Sequence, residues 1–263
     1  PLDPPERLML LDPGLLSRLV GRALAKGADF AEVYVQRRKS VGFSLDDGVL
    51  RDASAGRDFG VGIRVIRTDG AGGAAVPYAW SDDTRDAALL ACADEAARVE
   101  GGVGAPVVIA RPLQPRARPT YADPQRPPTE VPLERRAALV RRADAAARAA
   151  FDAADAHLGA GLVNVAASYA DVDEDVLVVN SEGLVVSDRR CLCRLSVEVI
   201  VDDDGQRRTG TGGGGSRVGL DHYDPQTSSP EAAGAEAVRM ALAEVGAKAA
   251  PRGDAVVVLG PAS

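Results

Sequence analysis

The first hydrophobic pattern in the chain has the period of an α-helix. Apolar residues recur three and four positions apart across residues 15–24, and mostly polar or small residues separate them. Asp12 is placed to act as an N-cap, and Pro13 suits the first helical position. Lys26 and Gly27 follow the run and predict its end. The pattern predicts a helix with one apolar face turned towards a core.

The pattern then changes to the alternation that is typical of strands. The first three strand candidates are residues 33–45, 61–65 and 74–80. Residues 46–48 have hairpin-turn chemistry, and a second helix is predicted from a cap near Ser81 or Asp82. Helices that flank consecutive strands indicate an α+β unit with an antiparallel sheet.

Prolines recur across residues 112–132, which predicts a semi-rigid linker or a strap on the surface. A second α+β unit is predicted beyond this linker. Its candidate elements are a helix over 133–151, strands over 162–169, 176–179 and 184–201, and a helix that begins at Ser229. We therefore predict an N-terminal domain over 1–111 and a middle domain over 133–250.

The last apolar run, residues 255–259, predicts a strand that is buried on both faces. Such a strand needs neighbours on both sides. We expect residues 251–263 to begin a third domain that this sequence does not contain.

Composition excludes several classes of protein. The formal net charge of -7 does not favour nucleic-acid binding, which depends on an excess of Lys and Arg. No apolar run approaches the length of about 20 residues that spans a membrane. Three cysteines are too few for a disulfide framework, so we expect a reducing, cytoplasmic location.

Residues 210–215 formally match the glycine pattern of dinucleotide-binding loops. A phosphate site needs a helix N-terminus directly behind the glycines, but Gly219 and Pro225 interrupt the segment that follows. The alternatives are a mobile loop, or a strand that another backbone crosses closely. We predict that this region lies along a substrate path, formed by Gly212, Gly213, Gly214, Gly215, Arg217 and His222.

No other residue type suggests catalysis. Cys191 and Cys193 lie on the apolar face of a predicted strand, and Cys92 lies beside leucines in a helix, so all three are expected to be buried structural residues. The only histidines, His157 and His222, are far apart, and no catalytic residue or metal-ligand set is predicted. His157 is interpreted as a helix C-terminal cap.

Two groups of charged residues are interpreted as solvated. The acidic runs at residues 171–175 and 202–204 lack the spacing of a calcium loop and are predicted to be exposed turns. Several arginines of the helix over 133–151 are expected to form a solvated face. They are Arg135, Arg136, Arg141, Arg142 and Arg148.

Several segments in this order resemble the TldD/PmbA family, and the run of four glycines resembles its TldD side. The segments are residues 27–35, 47–65, 180–183, 187–189, 211–219 and 256–261. The resemblance implies the amino-terminal part of a cytoplasmic zinc metalloprotease that acts on unfolded or leader-bearing peptides. It also implies a heterodimer with a TldE/PmbA-like subunit, or self-association.

The family holds its zinc with a His-Glu-x-x-x-His helix and a later Cys, and the Glu activates the bound water. This sequence has no such motif, so no ligand is carried over. The chain alone is expected to bind no zinc and to be inactive. The alternative is a non-catalytic regulatory or peptide-binding module of the gyrase-modulator type.

Overall fold

In the computed structural model the described residues are 10–68, 72–98, 113–115, 127–154, 159–248, 252–254 and 256–258. Within them, eight strands form one sheet with four α-helices, so the chain is α+β as predicted. The elements are α1 (Pro13–Leu24), β1 (Phe30–Asp46), β2 (Val49–Thr68), β3 (Ala74–Ala75), β4 (Tyr78–Ser81), α2 (Asp86–Ala96), β5 (Gln114–Pro115), α3 (Leu133–Ala153), β6 (Gly161–Asn180), β7 (Leu184–Asp203), β8 (Gln206–Ser216) and α4 (Pro230–Ala243).

The local signals for α1 and the first hairpin are confirmed. The Asp12 carboxylate accepts a hydrogen bond from the backbone N–H of Leu15 at 3.0 Å, which is an N-cap. Asp47 and Gly48 have φ of 50° and 74°, as expected for the tight turn that joins two antiparallel strands.

The start of α2 differs from the prediction. Ser81 ends β4, where it pairs with Val61 of β2. The helix begins at Asp86 after Arg85, which makes no side-chain cap bond. Ser81 instead accepts a hydrogen bond from the backbone of Asp83 at 3.1 Å, so its capping chemistry is used in the preceding turn.

The sheet has the strand order β3-β2-β1-β6-β7-β5, with β4 also beside β2 and β8 also beside β7. The pairing of β1 with β6 runs from Glu32 opposite Asn180 to Asp46 opposite Ala166. The two predicted units therefore share one sheet. The boundaries of the predicted domains stay a prediction.

A belt of charged residues, called the charged belt below, crosses the middle of this sheet. It consists of Arg37, Arg38 and Lys39 in β1, Asp173, Glu174 and Asp175 in β6, and Arg189 and Arg190 in β7. Arg38 lies opposite Glu174, and Glu174 lies opposite Arg190. The prediction of a solvated acidic turn at residues 171–175 is wrong, because β6 continues through it with basic partners on both neighbouring strands.

The charged belt separates two hydrophobic cores on the same face of the sheet. Core 1 contains α1 and α2 with residues such as Val33 and Leu177. Core 2 contains α3 and α4 with residues such as Phe43, Tyr169 and Leu195. Because alternate residues of a strand share a face, the even-numbered positions of β1, β6 and β7 form an opposite face, called the open face below.

The ends of the proline-rich segment contact the sheet. β5 pairs in parallel with Leu184 and Val185 of β7. A 3₁₀ turn, Pro128–Glu130, buries Pro128, and Thr129 donates to the Asp173 carboxylate at 3.0 Å. At these two points the segment lies on the sheet, which agrees with a strap on the surface. Residues 116–126 lie outside the described residues.

The described residues of the predicted C-terminal strand do not form one. Ala255 and Leu259 lie outside the described residues, and Val256, Val257 and Val258 belong to no strand. These three valines are 96%, 75% and 88% exposed. The described residues place no neighbouring strand against them, which a strand buried on both faces would need.

Candidate functional site

The four consecutive glycines lie in a strand. Gly212 to Gly215 belong to β8, which pairs antiparallel with β7. Gly212 lies opposite Val197 and Gly215 lies opposite Arg194. Of the two alternatives for this segment, the structure therefore forms a strand that another backbone crosses closely.

The crossing backbone is that of α4. A Cβ at Gly212 would lie 2.1 Å from the Ala233 carbonyl oxygen, and a Cβ at Gly210 would lie 2.1 Å from that of Ala237. The sequence carries a signal for this packing, since Ala233, Ala237 and Ala241 place small side chains at every fourth position of the helix. Sequence reasoning missed it. Gly212 has a structural role.

The next three glycines differ from one another. Gly213 has φ of 116°, and a Cβ there would lie 2.2 Å from the Leu195 carbonyl oxygen. A Cβ at Gly215 would lie 2.6 Å from the Cys193 carbonyl oxygen. At Gly214 the nearest atom is His222 Nε2, at 3.8 Å. Only Gly214 of the four could accept a side chain without a close contact.

His222 and Arg217 lie in the segment that follows β8. His222 belongs to a 3₁₀ helix, Gly219–Tyr223, and its ring contacts the edge of Tyr223 with 5.0 Å between centroids. Tyr223 Oη donates to the Gly214 carbonyl at 3.2 Å. Arg217 lies 3.9 Å from the Asp188 carboxylate. Side chains from this segment thus border the end of β8.

These residues surround two adjoining grooves. The larger, of about 920 Å³, is lined by Gly213, Gly214, Gly215, Arg217 and His222 among others. The smaller, of about 670 Å³, contains Gly212 and part of the open face. Arg194, Gly213 and Glu236 line both. The structure therefore brings the six predicted path residues together, and it adds Arg194 and Glu236.

A buried polar cluster lies on the helix side of the sheet. Arg136 is 4% exposed and pairs with Asp171, which is 1% exposed. The prediction that Arg136 belongs to a solvated face is therefore wrong. The helical spacing was correct, but Arg136 lies on the side of α3 that faces β6, where Asp171 compensates its charge.

Burial raises the pKa of Asp171, although Arg136 opposes this shift. Burial also raises the pKa of Tyr169 beside it. For Asp173, burial alone would raise the pKa, but the hydrogen bonds and the positive charge of Arg189 and the hydrogen bonds from Thr129 and Cys191 together outweigh burial, and the pKa is lowered. Two neighbouring carboxylates of one strand thus shift in opposite directions.

The three cysteines are buried and form no disulfide, as predicted. Cys193 Sγ lies 3.3 Å from the carbonyl oxygen of Gly219. Burial raises the pKa of the Cys193 thiol and that of Cys92. These thiols are therefore poor nucleophiles. His157 lies outside the described residues.

The described residues do not fit a metal centre. They include no group of three or more His, Cys, Asp or Glu side chains that is placed to bind an ion. No helix among the described residues is both long and apolar enough to cross a membrane.

Two family models match the chain. Residues 31–99 match the PmbA/TldA metallopeptidase domain 1, and residues 126–244 match the PmbA/TldA metallopeptidase central domain. A metalloprotease TldD homologue of Haemophilus influenzae is 31% identical over 242 residues, 89% of this chain and 47% of that protein. A second TldD homologue, from Buchnera aphidicola subsp. Schizaphis graminum, is 28% identical over 88% of this chain and 46% of its own length.

Solved structures show the same fold. A candidate modulator of a DNA gyrase from Thermotoga maritima superposes with a TM-score of 0.65 at 18% identity, over 91% of this chain and 50% of that chain. TldE from Thermococcus kodakarensis has a TM-score of 0.57 at 17% identity, over 88% of this chain and 47% of that chain. The chain spans about half the length of the proteins it matches. On these matches and on its fold, the chain belongs to the PmbA/TldD metallopeptidase family.

Proposed function

We propose that this chain is the amino-terminal part of a TldD-type zinc metalloprotease, and that it holds an extended, unfolded peptide along β8. The relatives that it matches are named metalloproteases, which supports a role in proteolysis. The zinc and the catalytic groups belong, in this proposal, to sequence outside the present chain. The proposal also includes a partner, which is a TldE-like subunit or a second copy of this chain. It places the protein in the cytoplasm.

The observation that carries the proposal is the position of the larger groove beside β8. Among the described residues β8 pairs only with β7, so its other edge is available to a further strand. An extended peptide can add to such an edge through main-chain hydrogen bonds. Main-chain pairing is independent of side chains, which suits a protease that accepts many unfolded sequences.

Gly214 provides the sharpest test. A side chain there would project towards His222 and narrow the groove without a clash against the core. We expect Gly214→Val to weaken binding of a fluorescent unfolded peptide to the 263-residue chain by about tenfold, measured by anisotropy. Gly161→Val in β6 is the matched control, because a Cβ at Gly161 meets no atom within 4 Å.

Melting temperatures measured beside the binding curves separate groove blockage from unfolding. If the wild-type chain bound no peptide, or if Gly214→Val bound as tightly as wild type, β8 would not be a peptide site.

The chain alone should cleave no peptide and hold no stoichiometric zinc. Hydrolysis by the purified chain would show that the catalytic groups lie within it.

The encoding reading frame beyond Ser263 separates the protease from the gyrase-modulator alternative. Continuation through His-Glu-x-x-x-His supports the protease. A stop codon would support a non-catalytic module.

A further inference from the structure

Two uncompensated charges lie on the open face of β7 next to the proposed peptide edge. Arg194 and Glu198 are both exposed. Arg194 Nε donates to Ser196 Oγ at 3.1 Å, and its guanidinium has no carboxylate partner among the described residues. The carboxylate of Glu198 makes no hydrogen bond or ion pair with another residue in the described part of the chain. By contrast, Glu236 on the same groove is paired with Arg239.

The spacing of the two charges is fixed by the strand. Arg194 and Glu198 are four residues apart and share a face, so their Cα atoms are about 13 Å apart at about 3.3 Å per residue. Both side chains line the smaller groove, and Ser196 lies between them. An extended ligand with opposite charges at the same spacing would match them.

The glycines of β8 give such a ligand access to β7. On the open face, Gly215 lies opposite Arg194, Gly213 lies opposite Ser196, and Thr211 lies opposite Glu198. β8 separates β7 from the free edge, but two of these three positions carry no side chain. Long side chains of a strand added to that edge can therefore reach across β8.

The antiparallel pairing of β7 and β8 relates the direction of an added peptide to the order of the two charges. β8 runs antiparallel to β7, so a peptide that adds antiparallel to β8 runs parallel to β7. Along β7, Arg194 precedes Glu198. An acidic residue of the peptide therefore meets Arg194, and a basic residue four positions later meets Glu198.

We propose that the smaller groove, through Arg194 and Glu198, selects extended peptides in which Asp or Glu lies four positions N-terminal of Lys or Arg. The proposal rests on the proposed function, because it requires a peptide on the edge of β8. Arg194 and Glu198 then set the direction and register of the peptide, while main-chain pairing supplies the binding that does not depend on sequence.

Four labelled peptides of equal length test the proposal against the 263-residue chain. They carry Glu-x-x-x-Lys, the reversed Lys-x-x-x-Glu, Glu-x-x-Lys, whose charges fall on opposite faces, and Gln-x-x-x-Gln. Each exposed ion pair is expected to change the affinity by up to about fivefold. The first peptide, which can form both pairs, should therefore bind more tightly than the other three at low salt, by up to about 25-fold relative to Gln-x-x-x-Gln. The preference should disappear in about 0.5 M salt because of screening.

A charge-reversed variant provides the matched control. Arg194→Glu combined with Glu198→Arg should transfer the preference to Lys-x-x-x-Glu, and Glu198→Gln should reduce it by one ion pair. Both positions are exposed, and unchanged melting temperatures would show that the variants are folded.

The outcomes separate the two proposals. Equal binding of all four peptides, or preference for the reversed peptide by the wild-type chain, would overturn the charge selection and leave the peptide edge in place. Binding of none of them would overturn the proposed function itself.

Discussion

Nη1 of Arg136 donates to both carboxylate oxygens of Asp171, at 3.2 and 2.8 Å, in the interior of the protein. The pair joins α3 to β6, and Asp171 lies two residues before the charged belt. Taking two charges out of water costs several kcal/mol per ion, so such a pair adds little net stability. Its effect is to fix the position of α3 on the sheet, because either charge alone would be buried without a partner.

Arg136→Ala is expected to lower the free energy of unfolding by about 3–5 kcal/mol, because it leaves Asp171 buried and unpaired. Arg135→Ala is the matched control, because Arg135 is exposed. This variant should change the free energy of unfolding by less than about 0.5 kcal/mol. Urea unfolding followed by circular dichroism measures both. The double variant Arg136→Met, Asp171→Leu should recover most of the loss. If it were as unstable as Arg136→Ala, an unpaired buried charge would not be the cause.

The sequence predicted local features well. The cap at Asp12 and the turn at Asp47 and Gly48 depend on neighbouring residues, and each forms as expected. The acidic run in β6 was misinterpreted because its partners are distant in sequence. Asp175 is paired with Arg37, 138 residues away. A run of carboxylates is a solvated turn or a strand according to what the neighbouring strands place beside it, and local composition does not carry that information.

The glycines of the candidate site show the same limit. The sequence pointed to a strand that another backbone crosses closely as one alternative, and this is correct. It could not say that α4 is the backbone that crosses at Gly212. The groove residues Arg194 and Glu236 carried no signal in the sequence, since they are brought together by the packing of α4 against β8.

Gly212→Ala and Gly214→Ala should separate the fold from the groove. At Gly212 the added Cβ would lie 2.1 Å from the Ala233 carbonyl oxygen, so α4 must shift. We expect this overpacking to lower the free energy of unfolding of Gly212→Ala by about 1–3 kcal/mol. At Gly214 the nearest atom is 3.8 Å away, so the melting temperature should change little. Similar melting temperatures for both variants would contradict the close packing of α4 on β8.

The opposite pKa shifts of Asp171 and Asp173 predict how stability depends on pH. The pKa of Asp173 is lowered in the folded state, so its stabilising effect is present above the unfolded pKa of about 3.9. That effect is lost as the pH falls through the folded pKa. The pKa of Asp171 is raised, so its unfavourable burial is relieved as the pH falls. The two residues therefore act in opposite directions in acid.

Asp173→Asn isolates one of these effects. The variant should be less stable than wild type at pH 7, and the difference should shrink as the pH falls below about 4. Urea unfolding of both proteins at pH 7, 5 and 3 measures this. A difference that is the same at all three pH values would mean that the charge of Asp173 makes no contribution.

Cys191 and Cys193 are expected to resist thiol reagents in the folded protein. They are 3% and 4% exposed, whereas Leu192 between them is 45% exposed on the opposite face. Burial also raises the pKa of Cys193, so little reactive thiolate forms near neutral pH. Leu192→Cys supplies the matched control, because it places a thiol on the same strand with the opposite orientation. The added thiol should react within seconds to minutes, and the native pair should react at the rate at which the protein opens. That rate should increase with urea concentration, in step with unfolding. Equally fast labelling of all three thiols in the absence of denaturant would show that this part of the apolar face of β7 is not covered in the folded protein.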